Sequence, residues 1–196
     1  MKKIIALLIA ITCVFAMVSC GGNGGETVDV TAFKDAVAAT APTAVEIETA
    51  LETELGTLEG TFNVTYATDG SAVIEYSYEQ FNELGESSNT TEVKNTVSGT
   101  VNVGADGSYS DGGALVGSVS AAGGFTINLD TAKMKDCEVN GNVLTATVEA
   151  ANTEAVLGVA IAYDVNVVLT KGETSLVSLT LTYTTDAGLA TVTCEY

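Results

Sequence analysis

Residues 159–196 read VAIAYDVNVVLTKGETSLVSLTLTYTTDAGLATVTCEY, and no other stretch carries a clearer structural signal. Apolar and polar side chains alternate through it in three runs, which the turn sequences Lys171-Gly-Glu173 and Asp186-Ala-Gly188 separate. Neighbouring side chains of a β-strand point to opposite faces, so alternation predicts strands with one buried and one exposed side. Three such strands joined by short turns predict an antiparallel sheet that faces water on one side.

The same alternation extends towards the N-terminus as far as residue 45, with Asp69-Gly70 as a hairpin turn signal. Residues 45–55 fit a helical spacing as well as a period of two, and we predict a strand because the period-two register is unbroken. Apolar alternation also predicts a strand around residues 125–129. Residues 31–40 and 152–158 are predicted to form short helices, the first starting at Thr31 and ending before Pro42.

These segments predict a mainly β domain over residues 31–196. We expect a single strongly curved antiparallel sheet, or half-barrel, with a short N-terminal helix. The apolar face of such a sheet must be covered by another layer of structure. A β-sandwich, in which a second sheet provides that layer, is the alternative fold.

The first residues have the layout of a secretory signal peptide. Met1-Lys2-Lys3 is basic, and the uncharged run from Ile4 to Val18 is shorter than the roughly 20 residues that span a bilayer. Met17-Val18-Ser19-Cys20-Gly21 resembles the lipobox of bacterial lipoproteins, in which the Cys is diacylated and becomes the new N-terminus. The resemblance implies a signal peptide over residues 1–19 and a lipid anchor, such as palmitate, on Cys20.

Residues 20–30 then form a Gly-rich tether between the lipidated Cys20 and the domain. A lipobox, a tether, an opening helix and consecutive antiparallel strands with a Cys near the end together resemble the LolA-like half-barrel lipoproteins. That resemblance covers residues 31–196 as an order of elements, and it implies a concave sheet that holds a lipid or another apolar ligand. It also implies a location in the cell envelope, anchored to a membrane and exposed to the periplasm or the cell exterior.

Two cysteines remain in the exported domain, Cys137 and Cys194, since Cys13 leaves with the leader and Cys20 is used for the anchor. The alternation places both on the apolar faces of their segments. We predict a Cys137–Cys194 disulfide, with two buried free thiols as the alternative.

The composition excludes several classes of function. The chain has seven basic residues against 25 acidic ones and a net charge of −18, which becomes −20 when Lys2 and Lys3 leave with the signal peptide. Nucleic acids are not expected as partners, because they are bound through clustered Lys and Arg. The chain contains no His, so Ser-His-Asp, Cys-His and His-based zinc sites are excluded. We expect binding without catalysis and without a cofactor.

Acidic side chains give one weak candidate for a metal site. Residues 106–112 place oxygen-bearing side chains at alternate positions, and Asp106 and Asp111 are the ones to test. The segment lacks the Gly and the final bidentate Glu that an EF-hand loop requires. Turn formation is therefore the prediction for Asp106 and Asp111.

Large rings on the apolar face provide the candidate ligand-binding residues: Phe62, Tyr66, Tyr76 and Tyr78. Such rings either pack in the core or line a cavity in which tyrosine hydroxyls orient an apolar molecule. We predict that the protein binds an apolar or amphipathic ligand on the concave face of its sheet. The alternative function is a surface module that binds a protein or a glycan through the loops at residues 82–90 and 106–113.

Overall fold

The computed structural model describes residues 28–81, 94–106, 108–110 and 127–196. These residues form one ten-stranded antiparallel sheet and a few short helices. The strands are β1 (Ala44–Thr53), β2 (Gly56–Tyr66), β3 (Ala72–Phe81), β4 (Lys94–Val103), β5 (Tyr109–Ser110), β6 (Met134–Asn140), β7 (Val143–Val148), β8 (Val165–Lys171), β9 (Leu176–Thr185) and β10 (Gly188–Glu195). The helices are α1 (Thr31–Ala39) and α2 (Thr153–Leu157), with 3₁₀ turns at Thr131–Lys133 and Ala150–Asn152.

The strand order is β5-β4-β3-β2-β1-β10-β9-β8-β7-β6. The sheet therefore consists of two meanders, one from each half of the chain, which meet where the first strand pairs with the last. The sheet is curved and does not close into a barrel, since β5 and β6 lie at its opposite ends. This confirms the predicted fold class, and the described residues contain one sheet rather than the two of a sandwich.

One face of the sheet carries the hydrophobic core, and we call it the concave face. Across its centre Cys194 of β10 lies opposite Ile47 of β1, and farther along the row Phe62 of β2 lies opposite Tyr76 of β3. In the β7–β9 half, Leu144, Leu169 and Leu179 are fully buried on this face. The opposite, convex face carries mainly Thr, Ser, Asn and Glu, as the period-two pattern requires.

Two short helices pack on the core. Helix α1 contacts β9 and buries Phe33 and Ala36, and the Lys171 ammonium lies 5.9 Å from the centre of the Phe33 ring. The end of α1 is fixed by Thr40, whose hydroxyl accepts a hydrogen bond from the Leu176 amide at 2.9 Å. Helix α2, between β7 and β8, buries Val156 and Leu157.

Two segments that were predicted as strands lie outside the sheet. Residues 159–164 are not part of a strand, because the Thr153 hydroxyl bonds both the amide and the carbonyl of Ile161 and holds the chain against α2. Residues 127–130 are also outside the sheet, where the Asn128 amide donates to the Val156 carbonyl at 2.7 Å. In both places hydrogen bonds to the α2 region replace the strand pairing that the alternation predicts.

Candidate ligand-binding surface

Three of the four predicted ligand-binding rings form a continuous layer on the concave face of β2 and β3. The rings of Phe62 and Tyr76 lie 6.4 Å apart at their centres and 26° from parallel. Those of Tyr76 and Tyr78 lie 6.0 Å apart and 25° from parallel. Phe62 is buried and the two tyrosines are half-buried. We call Phe62, Tyr76 and Tyr78 the aromatic surface.

Two glycines allow these rings to lie close against the sheet. Gly99 of β4 is the register partner of Tyr76, and a Cβ atom at Gly99 would be 2.5 Å from the Tyr76 hydroxyl oxygen. Gly60 of β2 is the partner of Tyr78, and a Cβ atom there would be 3.0 Å from Cβ of Tyr78 and 3.4 Å from Cε2 of Phe62. The Tyr76 ring therefore covers the backbone of Gly99, an arrangement that compensates for the missing glycine side chain.

Burial on the concave face decreases along β3 and β4 towards the aromatic surface. Ile74 and Val101, which are register partners, are buried. Two residues farther along each strand, Tyr76 and Gly99 are half-buried, and Asn95 of β4 is exposed. The rings of the aromatic surface thus lie at the boundary between the buried and the exposed part of the concave face.

The acids of β3 lie on the opposite face from the aromatic surface. Glu79 forms an ion pair with Lys94 at 3.1 Å, and its carboxylate accepts a hydrogen bond from the Glu59 amide at 3.2 Å. The hydrogen bond from Lys94 is the main cause that holds the pKa of Glu79 below its usual value. Burial raises the pKa of Tyr78, and neighbouring Tyr76 raises it further. Tyr78 thus stays protonated, on the face opposite Glu79.

Tyr66, the fourth predicted ring, is not part of the aromatic surface. It lies at the other end of β2, close enough to Cys194 for the thiol to influence its ionisation, and the same holds for Tyr196 and Cys194. The Tyr66 hydroxyl is buried and has no hydrogen-bond partner among the described residues. Burial, and then the proximity of Cys194, raise the pKa values of both tyrosines.

The predicted Cys137–Cys194 disulfide is not present, because both residues are free thiols. Cys194 lies in β10 near the middle of the sheet, whereas Cys137 lies in the edge strand β6, with β9, β8 and β7 between them. Four strand spacings amount to about 19 Å along the sheet, and a disulfide requires Cα atoms within about 7 Å. Cys137 also sits in a β-bulge next to Asp136, whose φ is 48°.

A second aromatic pair was not among the predicted site residues. Tyr163 and Tyr183 stack at 6.2 Å between ring centres and 15° from parallel. Tyr183 is only 3% exposed, and its hydroxyl has no hydrogen-bond partner among the described residues. Burial is the main cause that raises its pKa. The alternation places Tyr183 on the buried face of β9, but nothing in the sequence indicates that its hydroxyl lacks a partner.

Asp106 has the role of a turn residue. Its carboxylate accepts a hydrogen bond from the Ser108 amide at 3.0 Å, and hydrogen bonds from Ser108 hold its pKa below the usual value. Asp111 and the loop at 82–90 lie outside the described residues. Residues 107, 112 and 113 of the second predicted loop also lie outside them. Over the described ranges, no three His, Cys, Asp or Glu side chains are grouped so that they could hold a metal ion.

The predicted signal peptide, Cys20 and the predicted tether up to residue 27 lie outside the described residues. Within the described part of the chain, no helix has the length and apolar character needed to cross a membrane. Comparison of the chain with protein families, with curated proteins and with solved structures finds no match. The lipobox at Cys20 and the LolA-like resemblance stay predictions.

Proposed function

We propose that this chain is a membrane-anchored lipoprotein of the cell envelope that binds an apolar or amphipathic ligand on the concave face of its sheet, without catalysis. The aromatic surface is the observation that carries the proposal. Its three rings stack into one layer, and two of them are only half-buried although they belong to the apolar face. The other large apolar side chains of this face are mostly buried already. A ligand that covers Tyr76 and Tyr78 would bury these two rings as well.

Burial of apolar area supplies the driving force for such binding. Each Å² of apolar surface removed from water stabilises a complex by about 25 cal/mol, before the cost of ordering the ligand. Tyrosine rings provide large contact areas, and their hydroxyls can orient a polar group of the ligand. With Glu79 on the opposite face, the aromatic surface suits an apolar molecule better than a charged one.

The proposed anchor places this surface near a membrane. Two acyl chains on a lipoprotein Cys give stable membrane attachment, whereas one chain is marginal. A Gly-rich tether of about nine residues spans on the order of 16 Å, and the strong negative charge opposes contact with anionic headgroups. The domain would thus be held close to the bilayer without lying on it.

The ligand part of this proposal is tested by Tyr76→Ala and Tyr78→Ala. The full-length chain is purified from its own membranes. The lipids bound to it are extracted, and their amount per chain is determined by mass spectrometry. We expect each variant to retain less than about one third of the ligand bound to the unaltered chain, because truncating one ring removes on the order of 1 kcal/mol of contact.

Ser77→Ala is the matched control, since Ser77 lies between the two tyrosines and points to the convex face. Equal ligand content in all three variants, or no ligand in the unaltered chain, would count against the aromatic surface as a binding site. The anchor part is tested separately with Cys20→Ala. This variant should lose incorporation of radiolabelled palmitate, and unchanged labelling would disprove lipidation of Cys20.

A further inference from the structure

Two amide side chains continue the concave face of β3 and β4 beyond the aromatic surface. Gln80 follows Tyr78 by two residues along β3, and Asn95 of β4 is the register partner of Gln80. Side chains two residues apart in a strand share a face, so both amides lie on the face that carries the rings. Gln80 is half-buried and Asn95 is exposed. The aromatic surface therefore has a polar border at the exposed end of the face.

Both amides are available to a ligand. Within the part of the chain that the structure describes, neither side chain has a hydrogen-bond partner. Each amide group carries two N–H donors and one carbonyl acceptor. A hydroxyl group also donates and accepts, so it can bond either end of an amide, whereas a carboxylate can only accept. Register partners on neighbouring strands lie about 5 Å apart at their Cβ atoms, so Gln80 and Asn95 can hold adjacent hydroxyl groups of one molecule.

The charges near this surface favour an uncharged head group. Glu79 and Lys94 form their ion pair on the opposite face. The described side chains on the concave face of β3 and β4 are all uncharged: Ala72, Ile74, Tyr76, Tyr78 and Gln80 in β3, and Asn95, Val97, Gly99, Val101 and Val103 in β4. A charged head would lose hydration without gaining a counter-charge, and the net charge of −18 repels an anionic one.

Binding at this end of the face requires no cavity in the core. Tyr76, Tyr78 and Val97 are half-buried, so a ligand can lie on them from the outside. The four residues from Tyr76 to Gln80 span about 13 Å along the extended strand. This length accommodates a head group at the amides and a short apolar segment over the rings.

We propose that Gln80 and Asn95 bind the hydroxyl groups of an uncharged sugar, so that the ligand is a neutral glycosylated amphiphile whose apolar part covers Tyr76 and Tyr78. This inference rests on the proposed function, because it adds a head group to the ligand of the same surface. A sugar combines hydroxyl groups at its edge with C–H bonds on the faces of its ring. The electron-rich face of an aromatic ring attracts such C–H bonds, and Tyr78 lies next to the amides.

Gln80→Met and Asn95→Leu remove the amides and nearly preserve the size of the side chains. Asn102→Leu is the matched control, since Asn102 is also exposed and lies in the same strand but on the convex face. The probes are hexyl glucoside and hexyl sulfate, which share an alkyl chain and differ in the head group. Their binding to the full-length chain in phosphatidylcholine nanodiscs is measured by titration calorimetry, with empty nanodiscs as the blank.

The unaltered chain should bind hexyl glucoside at least about tenfold more tightly than hexyl sulfate. Each amide variant should weaken hexyl glucoside binding by about five- to tenfold, because hydrogen bonds to the head are lost. Asn102→Leu should leave it unchanged. Hexyl sulfate binding as tight as that of hexyl glucoside would overturn the inference.

Tyr78→Ala separates this inference from the proposed function. If Tyr78→Ala weakens hexyl glucoside binding but the amide variants do not, only the assignment of the head group fails. If none of these variants weakens the binding, or if neither probe binds the unaltered chain, the proposed function fails with the inference.

Discussion

At the scale of single residues, the tightest steric constraint among the described glycines lies at Gly188, the first residue of β10. Its φ is 146°, which strongly favours glycine, and a Cβ atom there would overlap the carbonyl oxygen of Glu52 in β1. We expect Gly188→Ala to lower the free energy of unfolding by more than about 3 kcal/mol, because backbone atoms must move at the junction of the two meanders. Urea denaturation measures the loss.

Gly141→Ala is the control for this prediction. Gly141 also has a positive φ, 60°, but a Cβ atom there would meet nothing within 4 Å. Its substitution should cost only about 1 kcal/mol, the ordinary penalty for a left-handed alanine. Equal losses at Gly141 and Gly188 would show that overlap with Glu52 is not the cause.

Cys194 makes stability depend on pH at the alkaline end. Burial raises its pKa from 9.0 to about 12, so the folded chain holds the thiol proton more tightly than the unfolded chain. Its contribution to stability is complete below pH 9 and is lost as the pH rises towards 12. Between pH 9 and 10 the free energy of unfolding should fall by about 1 kcal/mol more than in Cys194→Ala, measured by urea denaturation. Equal slopes for the two proteins would contradict the burial of this thiol.

At the scale of elements, α1 is attached to the sheet through Thr40. The Thr40 hydroxyl donates to the Ala36 carbonyl at 2.7 Å and accepts from the Leu176 amide at the start of β9. Thr40→Val keeps the shape of the side chain and leaves that amide without this acceptor. We expect a loss of about 1–2 kcal/mol in the free energy of unfolding.

Thermal or urea denaturation detects this loss, with Thr53→Val as the control in the exposed β1–β2 turn. The Thr53 hydroxyl bonds only within its own turn, so its loss should cost less than that of Thr40. A stability of Thr40→Val equal to that of the unaltered chain would show that Phe33 and Ala36 attach α1 without the hydrogen bond.

Strands and turns could be predicted from the sequence because their signals are local. Alternation predicted β1, β2, β3, β9 and β10. The turn sequences at residues 69–70 and 186–188 predicted the β2–β3 and β9–β10 connections. Residues 159–164 alternate in the same way, yet contacts of Thr153 with Ile161 hold them outside the sheet. Periodicity shows which side chains of a segment share a face. It does not reveal that another residue competes for the backbone hydrogen bonds of that segment.

At the scale of the whole molecule, the order of the strands in the sheet determines which residues are neighbours, and the sequence alone does not reveal that order. Cys137 and Cys194 both alternate onto apolar faces, but their pairing depends on which strands are neighbours, and β6 and β10 are not. Tyr66 is separated from the aromatic surface along β2 itself, where its register partner is Ala72, although all four rings were predicted on one face. Alternation assigned the face of each ring, whereas only the register showed which rings meet.

Charge also acts on the molecule as a whole. The chain carries a net charge of −18, and Glu46 of β1 lies directly opposite Glu195 of β10 on the convex face. Like charges in this position repel each other. Glu195→Gln should therefore raise the free energy of unfolding by a few tenths of a kcal/mol at low salt, measured by urea denaturation.

Added salt distinguishes this repulsion from a packing effect. With about 0.5 M NaCl the charges are screened, so the stability of the unaltered chain should rise and the advantage of Glu195→Gln should shrink. A difference between the two proteins that does not change with salt would contradict an electrostatic origin.

The most direct measurement of the proposed function is the intact mass of the chain purified from its own membranes, under native and then denaturing conditions. We expect a chain that begins at Cys20 and carries acyl groups, together with an additional lipid-sized mass that is lost on denaturation. An acylated chain without any bound mass would contradict ligand binding on the concave face. A chain with an unmodified N-terminus would contradict the membrane anchor.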